Sequence, residues 1–115
     1  MCSNLGTDTE AGSLDYMAPE IFNGKNKNPH TGLDIWAMGV ILYGMLCGTL
    51  PFSESSNKKT IERIISGNYV IPPKIDATLS REVKDLLAKM LNVDYQERIS
   101  IVEIMNHPWM LDQEL

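Results

Sequence analysis

Residues 34–52 read DIWAMGVILYGMLCGTLPF, and between positions 35 and 50 no side chain is charged. The apolar residues fall on every side of a helical projection rather than on one stripe, which predicts a helix buried all round. A membrane-spanning helix needs roughly 20 apolar residues, and Gly44, Gly48 and Pro51 interrupt the run. Other segments must therefore pack around it. Small residues at Ala37, Gly39, Gly44 and Gly48 would let their backbones approach closely. Asp34 stands at the expected head of this helix, where the helix dipole favours an anion and a carboxylate can accept backbone N–H bonds.

Downstream, Ile61, Ile64 and Ile65 share one face of a predicted helix over Asn57–Ser66, and Gly67 follows as a stop. Residues 68–77 contain Pro72-Pro73 and predict an extended, non-helical crossing. Val83, Leu86, Leu87, Met90 and Leu91 then stand at i, i+3, i+4, i+7 and i+8 behind Ser80, the pattern of a capped amphipathic helix. Residues 92–99, with Asp94, Glu97 and Arg98, read as a loop. Ser100 and Glu103 form a capping box that opens a last short helix. His107-Pro108 ends that helix, and Trp109 is expected to fold back on the core.

Upstream, residues 1–12 are polar and small, with Thr7, Asp8, Thr9 and Glu10, and predict a loop. Residues 18–22 (APEIF) predict a short helix with Pro19 in its first turn, closed by Asn23-Gly24. Residues 23–32 form a polar connection to the buried helix. No stretch reads as a strand, and no repeat is present.

The 115 residues suffice for one domain with a modest core, and 43% hydrophobic with 22% charged residues is the balance of a globular protein. A net charge of -5 disfavours nucleic acid and anionic membrane as partners, because both demand a basic surface. An acidic face could draw basic peptides or simply be solvated. Cys2 and Cys47 do not make a disulfide framework, which fits a reducing, intracellular location, cytoplasmic or nuclear. The N-terminus has no secretory pattern.

Self-contained catalytic signatures are lacking: no Gly-rich phosphate loop, no G-x-S-x-G, no Cys or His pair at metal-ligand spacing. His30 in a polar loop and His107 before a proline do not suggest metal or general-base chemistry. Trp36, Tyr43, Phe52 and Trp109 read as core.

Five motifs say more. Residues 12–20 (GSLDYMAPE), 34–39 (DIWAMG), 48–52 (GTLPF), Arg98, and 107–109 (HPW) resemble the eukaryotic protein kinase family in order and spacing. They span nearly the whole chain. Within that family the phrasing is most similar to the calcium/calmodulin and AMP-activated group. The resemblance implies a mainly α fold: the helical C-terminal-lobe portion of the α+β kinase fold, without the N-terminal lobe. Residues 1–24 would be the end of the activation segment with its A-P-E helix, and 25–115 the helical base.

Carried over by position, the resemblance implies a substrate-binding loop made of Ser13, Leu14, Asp15, Tyr16 and Met17. Ser13 matches the hydroxyl residue that contacts the catalytic Asp and Lys in serine/threonine kinases. Tyr16, where tyrosine kinases carry Trp, implies Ser/Thr substrates. Thr9 matches the position of activation-loop phosphorylation by an upstream kinase, or is an ordinary loop threonine. Glu20 and Arg98 would form a buried ion pair, Asp34 would accept hydrogen bonds from the catalytic loop, and Trp36 would be a further structural support. Gly44 replaces the Glu of kinases that prefer arginine-rich substrates, so a strong basic preference is not implied.

The parts that transfer phosphate in a kinase are a Gly-rich loop, a strand Lys, the catalytic-loop Asp and Asn, and the D-F-G Asp that holds magnesium. None is in this sequence. Residues 3–5 resemble those just after D-F-G, so ATP and magnesium belong to a complete domain, and this chain holds no cofactor and no catalytic residue of its own. Two functions follow. One is a serine/threonine kinase lobe that acts on a protein substrate only with an upstream portion. The other is a non-catalytic interaction module whose Asn57–Ser66 helix and the loop after Glu20 bind a partner or regulator. A lone lobe would also expose apolar surface around Asp34 and be marginal or associate.

Overall fold

The computed structural model describes residues 14–24 and 30–111. Among these residues seven helices follow in order: α1 Pro19–Asn23, α2 Thr31–Cys47, α3 Asn57–Ser66, α4 Pro73–Asp76, α5 Arg81–Met90, α6 Ile101–Met105 and α7 Pro108–Leu111. Among the described residues there is no strand, and the fold is mainly α.

Local chemistry sets most of the boundaries. Ser56, Ser80 and Ser100 each accept a backbone N–H three residues on, capping α3, α5 and α6. Ser100 and Glu103 complete a capping box in both directions. Gly48 and Gly67 end α2 and α3 in the left-handed conformation, at φ 83° and 73°. Pro19 opens α1, where its missing N–H is not needed.

α2 is the centre. Ile35, Trp36, Gly39, Val40 and Tyr43 are buried along it. Trp36 stacks on Phe52 at 5.4 Å, and Tyr69 meets both Phe52 and Tyr43 edge-on. The Tyr43 hydroxyl donates to Val70 O, tying the segment after α3 to the helix. A Cβ at Gly39 would lie 2.9 Å from Leu91 Cδ2 and 3.0 Å from Met90 Cβ, so glycine sets the distance at which α5 packs on α2. α1 packs on α3, and α5 and α6 pack on α7. Two buried clusters result, one around Trp36, Phe52, Ile64 and Leu87 and one around Ile35, Leu86, Met90 and Ile104; both meet Leu42.

Four expectations are corrected. α2 is not covered on every side: Met38, Ile41 and Met45 are 39%, 49% and 76% exposed. No described element lies over that face, so the burial demanded by the pattern is unmet among the described residues. α2 also begins at Thr31, three residues before Asp34, because His30 caps it; Asp34 sits in the first turn and is exposed. The 68–77 segment is not wholly extended. Pro72 and Pro73 occupy the cap and first position of α4, the one place in a helix where proline costs nothing. On α3, Ile64 is fully buried while Ile65 is 40% exposed, so the apolar face is narrower than three isoleucines suggest.

Candidate functional site

Residues 14–17 form a turn closed by Met17 N–H to Leu14 O, and lead directly into α1. Leu14, Asp15 and Met17 are half-buried, and Tyr16 is 37% exposed. Asp15 accepts a hydrogen bond from Ser53 Oγ at 3.1 Å, which joins this loop to the stretch between α2 and α3. Ser13 and Thr9 lie outside the described residues.

At the base of that loop, Glu20 and Arg98 meet. Arg98 Nη1 and Nη2 donate to Glu20 Oε2 and Oε1, each at 2.8 Å, and both side chains are buried. Such bidentate pairing is what the planar guanidinium fork is suited to. Arg98 further donates from Nη1 to Gly32 O and from Nε to Asn92 O, both at 2.9 Å, and its Cζ stands 5.1 Å over the Trp36 ring. One cation therefore ties α1, the N-terminus of α2 and the loop after α5. Burial alone would push the Glu20 carboxyl up; the hydrogen bonds and charge of Arg98, with Glu20's own backbone and His30, outweigh it and hold the carboxyl below its usual value.

Asp34, exposed at the head of α2, has none of these contacts. Trp36 is wholly buried beside Arg98, with its indole N–H unpaired among the described residues. Tyr43 and Phe52 lie in the core, and Trp109 packs against the second cluster half-buried.

Sequence reading missed three contacts. His30 takes part in the Glu20 junction: its Nδ1 accepts Gly32 N–H, and its Nε2 is 3.2 Å from Glu20 Oε2. His107 is a buried clasp, accepting Trp109 N–H at Nδ1 and pairing through Nε2 with Asp85, which Lys89 also binds. Those two partners hold the Asp85 carboxyl below its usual value. The Asp15–Ser53 bond spans 38 positions, and no local pattern announces it. Cys47 is free and half-buried; burial pushes its thiol up, which disfavours the nucleophilic thiolate.

Between α2, α5 and the α6–α7 end runs an apolar groove of about 260 Å³, lined by Met38, Ile41, Met45, Met90, Trp109 and Met110 among others. Among the described residues no three His, Cys, Asp or Glu side chains gather to hold a metal ion. No described helix is long and apolar enough to cross a membrane.

A helical base built round one central helix, with a buried Glu–Arg pair anchoring a short loop, is the C-terminal-lobe architecture of protein kinases. The twitchin kinase region of C. elegans superposes with a TM-score of 0.80 at 26% identity, covering 91% of this chain and 18% of that one. The Rad53 kinase domain, solved with AMPPNP, gives 0.73 at 34% identity over 86% of this chain and 38% of that one. The protein kinase domain model matches residues 2–110, and the chain belongs to the protein kinase family. It is 46% identical over 101 residues to an SNF1-related protein kinase catalytic subunit alpha, KIN12, of Arabidopsis thaliana, and 41% identical over 106 to the serine/threonine-protein kinase cds1 of Schizosaccharomyces pombe. It covers 88% and 89% of itself in these matches but only 19% and 23% of the relatives' lengths.

Proposed function

We propose that this chain is the substrate-side portion of a serine/threonine protein kinase, in which residues 1–24 end the activation segment and residues 25–115 form the helical base. The loop of Ser13, Leu14, Asp15, Tyr16 and Met17 receives the Ser/Thr-bearing segment of a protein substrate, and Thr9 is the site at which an upstream kinase adds phosphate. The observation that carries this is the Glu20–Arg98 pair: it fastens the loop at residues 14–17 to α2 through two charges that are buried together.

ATP and magnesium do not fit the residues present. The sequence has no Gly-rich loop, and no described cluster of acidic, His or Cys groups could hold the metal. Phosphoryl transfer is positioning and charge neutralisation by those parts, so the chain alone is inactive and contributes scaffold and substrate contacts. Its setting is intracellular, with protein partners rather than nucleic acid or membrane. The bare face of α2 supports the same reading: an apolar groove beside Met38, Ile41 and Met45 is where the remainder of a kinase domain would pack.

That groove also supports the second reading, a non-catalytic interaction module. A chimera separates the two. This chain is joined behind the ATP-site portion of the Arabidopsis relative's kinase domain, and Mg-ATP-dependent labelling of a Ser/Thr peptide is measured. Transfer by a folded chimera supports the kinase reading, and a folded chimera without transfer overturns it in favour of the module.

A further inference from the structure

Helices are usually capped by Ser, Thr, Asp, Asn or Gly. The longest helix of this protein is capped by a histidine. His30 Nδ1 accepts Gly32 N–H at 3.1 Å. An acceptor nitrogen must keep its lone pair, so the neutral ring carries its proton on Nε2. Nε2 lies 3.2 Å from Glu20 Oε2. The geometry falls short of a hydrogen bond, and no described group accepts from this nitrogen; the Glu20 carboxylate is the anion its N–H faces.

Two neighbours are shaped to the ring. A Cβ at position 32 would come within 2.8 Å of both His30 Nδ1 and Cε1. Glycine thus stands in the first turn of α2, although it is a poor helix former, and leaves room for the imidazole. On the other side the Tyr95 ring sits 5.1 Å away. An Asn at position 30 would cap as well. What it lacks is the second nitrogen facing Glu20.

We infer that His30 is a positioning residue: one imidazole, fixed as the Nε2–H tautomer, couples the N-terminus of α2 to the Glu20 carboxylate. α1 is then held to the helical base at two points, Arg98 and His30. That this steadies a substrate loop rests on the kinase reading; the coupling does not.

The test is made on this chain. Long-range proton–nitrogen spectra of the ¹⁵N-labelled imidazoles, with His107 as the second signal, are expected to show His30 protonated on Nε2 at neutral pH. A proton on Nδ1, or averaged tautomers, would overturn the inference without any variant. His30→Asn keeps a cap, so helix content is expected to hold, while at neutral pH the stability cost of Glu20→Gln is expected to differ between the wild type and His30→Asn; strict additivity of the two substitutions overturns the coupling. Gly32→Ala is expected to displace the imidazole and abolish the fixed tautomer; an unchanged tautomer signal overturns the packing behind it. Failure of the chimera to transfer phosphate would leave all three readouts untouched.

Discussion

Glu20 and Arg98, 78 positions apart, face each other with both carboxylate oxygens on both terminal guanidinium nitrogens at 2.8 Å, out of contact with water. Either charge left alone would be buried without a partner. Glu20→Gln or Arg98→Met is therefore expected to cost about 3–5 kcal/mol. The double substitution is expected to cost clearly less than the sum, because it strands neither charge. Urea unfolding of the four proteins, followed by circular dichroism, measures this; strict additivity would contradict it.

The same pair predicts a pH dependence. The folded Glu20 carboxyl lies below its ordinary value, about 4.3 in an unfolded chain. Its contribution is therefore complete above about pH 4.3 and is lost as pH falls through the lower, folded value. Asp85 acts in the same direction, more weakly, since it is half exposed to solvent. The stability gap between wild type and Glu20→Gln is expected to narrow as acid is added. A gap constant across the acid limb would refute the assignment.

Gly39→Val tests the α2–α5 contact. A branched side chain at this point collides with Leu91 and with Met90 Cβ, which cannot swing away. The expected loss is about 1–3 kcal/mol for overpacking, read from the thermal midpoint. An unchanged midpoint would show that α5 does not seat where the structure has it.

Ile41→Lys with Met45→Lys tests the bare face. Both side chains are substantially exposed, so within this chain the pair is expected to change stability by less than about 0.5 kcal/mol each. Binding of a hydrophobic dye and self-association in sedimentation are expected to fall. In the chimera the same substitutions should abolish folding or transfer, because the face is covered there. Equal tolerance in both settings would remove the groove from the account.

How much of this was legible follows from range. Val83, Leu86, Leu87, Met90 and Leu91, the Ser100–Glu103 box and Gly67 act within one or two turns, and their spacing alone specifies α5, α6 and the end of α3. Pro72-Pro73 misled, because proline forbids helix interiors but suits a helix start. The apolar run of α2 states how much surface must be covered and not which polypeptide covers it; hence Met38, Ile41 and Met45 stand exposed. Glu20 with Arg98 came from family resemblance, since no local rule pairs residues so far apart. His30 was invisible because histidine is not among the usual caps and its approach to Glu20 depends on where α1 lies. The one local hint was a glycine two positions on.

We propose that this chain shapes a kinase's substrate side and performs no chemistry alone. It is tested most directly by incubating the purified chain with Mg-ATP and a Ser/Thr peptide beside a complete kinase domain of the family. No labelling above the enzyme-free blank is the result expected; reproducible, magnesium-dependent labelling by the chain itself would contradict the account.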